Sequence, residues 1–416
     1  MDMMKRISKG VALVFCATTM LAATGLAVSR RLAPSGVSFE PRTRGLVVPA
    51  AAGSGMYSLA ASPGGTVYLS WLEAVSGSTY AFKFTTLDGD AWAPPRTIAT
   101  GDDWFVNWAD HPSLVPLTDG SLAAHWLVNN PGRQGAYGYG VRIARSADDG
   151  RTWREIFRTG TANLHGYSGF VSMLPLAHGF LAVYLGPPVP ESEAADPEAD
   201  HVMGLSVATF GTGGALLSDV VADADTCTCC STSVVQTSRG PIAAYRDHTG
   251  ETRDISIVRN RGGRWTAPSP VHPDGWRINA CPTNGPVLAA AGERVALAWF
   301  TAAAGVPRVR LAFSTDGGDR FAEPLTIDGG RPVGWPGVVL LDDGSAVVSW
   351  LEATGEGRGE VRIRRVRPDG RLGDMMTVAS STSGRSTGVP QMVLRSGNLI
   401  VAWRSDRLHT AIVPIP

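Results

Sequence analysis

Lysine is almost missing from this chain of 416 residues: it stands only at positions 5, 9 and 83, and arginine supplies the remaining basic charge. Basic and acidic residues balance at 37 each, so no net field draws the chain to nucleic acid or to an anionic membrane. No amphipathic helical period follows the N-terminus, so the chain does not read as a helical fold. P-loop, dinucleotide fingerprint, serine nucleophile elbow and zinc-protease helix are all absent, and neither a cofactor nor a metal is expected. Only one stretch, Val11 to Val28, is long and apolar enough to span a bilayer.

That stretch follows Lys5, Arg6 and Lys9 and ends before Arg30 and Arg31, the pattern of a secretory signal. An uncleaved membrane anchor is the alternative; the small residues Ala27 and Ser29 favour cleavage, and Phe15 before Cys16 argues against a lipoprotein signal. Residues 1–30 are therefore expected to target the chain to the periplasm or the exterior. Residues 31–416 then form a single domain, which meets a membrane only through an uncleaved N-terminal segment.

What is present is a repeat. A glycine turn precedes a short apolar run ending in an aromatic residue at Trp71, Trp126, Tyr184, Tyr245, Trp299, Trp350 and Trp403, at intervals of 51 to 61 residues. The glycines are Gly65, Gly120, Gly179, Gly240, Gly292, Gly344 and Gly397. Short runs of valine, leucine, isoleucine and aromatics bounded by turn residues read as strands. In the second copy, 112–117, 121–126, 141–145 and 152–156 would be four such strands. A strand repeat of this period predicts an all-β fold, a β-propeller of four-stranded blades. Seven blades are favoured, and six with one copy outside the ring is the alternative. The last copy stops after its third strand, 408–413, and the segment 45–49 could supply the fourth and close the ring. In the third copy, Pro187 to Pro190 and the acidic run Glu191 to Asp200 read as a loop without packed structure, with a lid over the channel as the alternative.

Cys16 lies in the signal, leaving Cys227, Cys229, Cys230 and Cys281. An even number in an exported chain favours disulfides. Bonding Cys229 to Cys230 or Cys227 to Cys229 would strain the backbone, which favours pairing Cys227 with Cys230 and Cys229 with Cys281. A thiolate site for zinc or monovalent copper is the competing reading.

The segment Ser146-Ala-Asp148-Asp-Gly150-Arg-Thr152-Trp153 matches the pattern Ser-x-Asp-x-Gly-x-Thr-Trp in full, and the segment from Ser314 through Asp316 and Gly318 to Phe321 matches it loosely. This is the Asp box, and the chain resembles the sialidase superfamily of Asp-box propellers over roughly residues 50–416. The resemblance implies that Asp148 and Asp316 are structural turn residues. It also implies a channel-mouth site acting on or binding glycans, in an exo-glycosidase or in a non-catalytic propeller of the cell envelope. Two family features are absent: there is no early Arg-Ile-Pro motif and no Tyr after Tyr245. A two-carboxylate glycosidase mechanism or a binding role is compatible with both absences.

Two groups of residues are candidates for that site. Tyr245 to Asp254 is the densest ionisable run and offers Arg246 and Arg253 as anion grips, with Asp247 and Glu251 as acid/base residues. An inter-blade ion-pair network is the bland alternative. The loops leading into the first strand of each copy offer Asp110 as a further acid/base residue, with Trp108, His165, Arg277, Asn284 and Trp335 as ligand contacts. The expected partner is a glycan or another small polar ligand, or a protein of the cell envelope.

Overall fold

Antiparallel pairing organises the chain into seven sheets, six of them built from consecutive strands and the seventh from the last three strands and the first. The computed structural model describes residues 43–130, 138–159, 167–188, 203–384 and 387–416. The targeting segment, the acidic insertion from residue 189 onward and His165 lie outside the described residues.

The second blade comprises Ser113–Pro116, Leu122–Asn129, Tyr139–Ser146 and Arg154–Arg158, close to the four strands expected there. The other first strands are Gly55–Ala61, Gly169–Leu176, Ser233–Thr237, Val287–Ala291, Pro332–Leu340 and Gln391–Arg395. Each first strand packs against that of the next blade, and Gln391–Arg395 packs against Gly55–Ala61, so the circle closes. The fold is a seven-bladed β-propeller with a central channel.

The seventh blade is completed from the start of the chain. Arg44–Leu46 pairs antiparallel with Leu408–Pro414, setting Gly45 opposite Ala411. This strand covers an edge that would otherwise present unpaired amides and carbonyls to solvent.

The repeat has a physical cause. All seven turn glycines have positive φ, the left-handed region where a side chain is strained. At Gly179 a Cβ would also stand 2.0 Å from the carbonyl of Phe210. The seven aromatics that follow are all buried in the second strands, where they pack between blades.

The two Asp-box segments form hairpin turns between third and fourth strands. Asp148 accepts the N–H groups of Arg151 and Thr152 at 3.1 and 2.9 Å, and the Thr152 hydroxyl at 2.7 Å. These bonds, Thr152's first among them, hold its carboxyl well below the usual range. Asp316 likewise accepts the Arg320 N–H at 3.0 Å. Both carboxylates are occupied by their own turns.

Candidate functional site

Loops that enter the first strands, and loops joining second to third strands, emerge on the same face. The pairing requires it: Ala244 near the end of a second strand lies opposite Ser233 at the start of the first, and Arg246 lies opposite Ile255. The described candidate residues on those loops therefore share one face of the propeller.

A cavity of about 280 Å³ runs into the channel and is lined by all seven first strands, together with Asp110, His111 and Trp335. A second cavity of about 180 Å³ opens beside it between Met56, Tyr57, Trp108 and Arg404, and His111 borders both. Trp108 meets Trp335 edge to face, with ring centroids 5.3 Å apart.

Asp110 is 2% exposed, accepting the Phe170 N–H at 2.8 Å and the Tyr139 hydroxyl at 3.3 Å. Burial pushes its carboxyl up to about 7 despite those two bonds. His111 is pulled down to about 4 by burial. His125, whose Nδ1 lies 3.0 Å from the Ser113 hydroxyl, is pulled down to about 3 by burial and by His111.

These shifts oppose one another. Between roughly pH 4 and 6.5 the unfolded chain carries a proton on each of the two imidazoles, and the folded chain carries one on Asp110. The unfolded state thus binds one more proton, so these groups make stability rise with pH, by up to about 1.4 kcal/mol per unit. Asp110→Asn removes the folded-state proton and should steepen the rise to as much as about 2.7 kcal/mol per unit. Urea melts from pH 4 to 7 read the difference; parallel profiles for the two proteins would refute the buried acid.

Arg246, expected to grip a ligand, is instead consumed by the fold. It is 1% exposed. Its Nε and Nη2 donate to the Asn284 carbonyl at 3.0 and 2.8 Å, Nη2 also to the Phe300 carbonyl at 2.7 Å, and Nη1 to the Arg253 carbonyl at 2.5 Å. The guanidinium lies over the Trp276 ring, 4.7 Å from its centroid. Asn284 is likewise a fastener: its Oδ1 accepts the Trp335 N–H at 2.6 Å, while the Trp335 indole donates to the Thr283 carbonyl at 2.9 Å. Trp335 is 6% exposed and presents only part of its ring to the channel.

The rest of the ionisable run is held mostly by local contacts. Asp247 accepts the His248 N–H and the Ser256 hydroxyl, both at 2.7 Å, and burial with Asp223 and Asp225 nearby raises its carboxyl. Glu251 pairs with Arg277 at 2.8 Å on the exposed surface, and Arg253 bonds the carbonyls of Gly250 and Thr252 within its own loop. Neither Asp247 nor Glu251 lines either mouth cavity, so neither is placed to act there as an acid or base. Of the three expected acid/base residues, the fold brings only Asp110 to the channel.

The four cysteines expected to pair stand close together without a bond between them. Cys227 Sγ lies 3.3 Å from Cys230 Sγ and 3.8 Å from Cys229 Sγ, whereas a disulfide needs about 2.05 Å. Cys281 is exposed and interacts with Cys229.

No family model matches the sequence, and no curated protein matches it. Solved structures do. A Dyadobacter fermentans protein of unknown function matches with TM-score 0.51 at 16% identity, covering 92% of this chain and 100% of its own. An ulvan lyase of a polysaccharide lyase family, bound to a GlcA–Rha3S saccharide, matches with TM-score 0.52 at 11% identity, covering 91% of this chain and 96% of its own. Sialidases are also structural neighbours; a leech intramolecular trans-sialidase matches with TM-score 0.45 at 12% identity, covering 91% of this chain and 69% of its own. The likeness is one of fold.

Sequence reasoning passed over one feature of this propeller. Five of the seven repeated aromatics direct their polar edge at a carboxylate: Trp71 at Glu73, Tyr184 at Asp219, Tyr245 at Asp223, Trp299 at Asp274 and Trp350 at Glu352. Trp-Leu-Glu at 71–73 and again at 350–352 was a visible signal; the other three partners lie 22 to 35 positions away.

Proposed function

We propose that this protein is a binding propeller that takes a small polar, glycan-like ligand at its channel mouth and does not hydrolyse it by the sialidase route. One observation carries the reading. Among the described residues lining the two mouth cavities, Asp110 is the only carboxylate and Arg404 the only guanidinium. A two-carboxylate glycosidase needs a second acid across the scissile bond, and three-arginine recognition of a sialic acid needs two more guanidiniums. Recognition needs less: an aromatic edge for the sugar ring and a few polar groups for its hydroxyls, which Trp108, His111 and Asp110 supply. The fold does not decide between binding and catalysis, so the lining must. This reading includes export directed by residues 1–30, where a cell-envelope glycan or the glycan of an envelope protein would be the partner.

Calorimetric titration with acidic and neutral oligosaccharides tests it. Trp108→Ala should weaken binding about tenfold, the effect of losing one aromatic platform of roughly 1.4 kcal/mol. Unchanged affinity in that variant would remove the site from this mouth.

A further inference from the structure

The thiols of Cys227, Cys229 and Cys230 do not line the channel cavity. They lie on the loop entering Ser233–Thr237, with their sulfurs all within 4.8 Å of one another. Cys281, on the loop entering Val287–Ala291, brings its side chain against Cys229. Cys229 thus meets three sulfurs at once. A disulfide can use one of those neighbours; a metal ion uses all of them.

Spacing and charge agree. Metal–sulfur bonds of about 2.3 Å in a tetrahedral shell set the sulfurs about 3.8 Å apart. The separations of 3.3 and 3.8 Å lie close to that and well beyond an S–S bond. Buried thiolates also need a countercharge. Arg246 is buried with no carboxylate partner among the described residues, its carbonyl accepts the Cys227 N–H at 3.0 Å, and its positive charge acts on both Cys227 and Cys230. Burying an arginine among carbonyls alone leaves a positive charge that a thiolate cluster offsets.

We infer that Cys227, Cys229 and Cys230, with Cys281 as fourth ligand, hold one thiophilic metal ion, zinc or monovalent copper. The ion ties the channel loop of the fourth blade to that of the fifth. Each ligating thiol releases its proton to solvent on binding, and no electron changes hands.

The test uses the full chain, reduced under anaerobic conditions and given zinc or monovalent copper alone. One equivalent should bind and protect the thiols from alkylation, and a chelator should restore their reactivity. Protection of all four cysteines is expected; protection of Cys227, Cys229 and Cys230 with Cys281 still reactive would overturn the fourth ligand. Cys230→Ser should lower affinity by more than the roughly 100-fold that loss of a supporting contact costs. The wild-type alkylation pattern stands even if that variant fails to fold. Reactivity of Cys227, Cys229, Cys230 and Cys281 in the presence of metal would overturn the site. So would a mass lower by four hydrogens, showing that two disulfides form in preference to metal binding.

Discussion

Replacing Arg246 by alanine is expected to destabilise the protein by about 4 kcal/mol, because three carbonyls lose a charged donor at roughly 1–3 kcal/mol each. The loss is structural. Without the guanidinium, the carbonyls of Asn284, Phe300 and Arg253 lose their donors, and the Trp276 face loses its cation. Two of those carbonyls lie in the fifth blade and its channel loop, so the junction between the fourth and fifth blades should loosen first. Arg246→Lys keeps the charge but cannot reproduce a fork that spans three carbonyls, and should fall between alanine and wild type. Urea denaturation measures both variants. An alanine variant within about 1 kcal/mol of wild type would mean that the guanidinium is not the fastener its geometry indicates.

Starting the chain at residue 48 instead of residue 31 is expected to cost about 3 kcal/mol and to cause concentration-dependent association. The shorter chain lacks Arg44–Leu46, whose pairing with Leu408–Pro414 completes the seventh blade. Three residues of ladder at about 1 kcal/mol per bond, with the packing of Leu46 against the cluster of Trp71 and Ile400, account for the stability term. Association follows from the strand edge uncovered at Thr410, Ala411 and Ile412. Packing of Gln391–Arg395 on Gly55–Ala61 should hold the ring together, as should the bond from the Trp92 indole to the Thr410 hydroxyl at 2.8 Å. Chemical denaturation and light scattering over a concentration series read the two effects. A shorter chain that matches the longer one in both would show that the strand is dispensable.

The architecture was legible because its causes are local. A left-handed glycine followed at a short distance by a buried aromatic is written into each copy, and the missing fourth strand of the last copy pointed back to residues 45–49. The mouth was legible as a place, since strand pairing alone puts the two loop sets on one face. Individual roles were not. Arg246, Asp247 and Glu251 sit in a run that reads the same whether it is catalytic or architectural, and what separates the cases is contact with backbone carbonyls. Phe300 lies 54 positions from Arg246, and no side-chain pattern announces its carbonyl. His125 likewise gave no signal, because an imidazole at an inward position of a strand differs from an exposed one only in what covers it.

Turnover of a fluorogenic sialoside by the purified, folded protein most directly tests the claim that the mouth binds without hydrolysing. With one buried carboxylate and one guanidinium among the described lining residues, no release of fluorophore above the protein-free rate is predicted. Steady turnover that persists through purification and is lost on Asp110→Asn would contradict the claim and make Asp110 a catalytic acid.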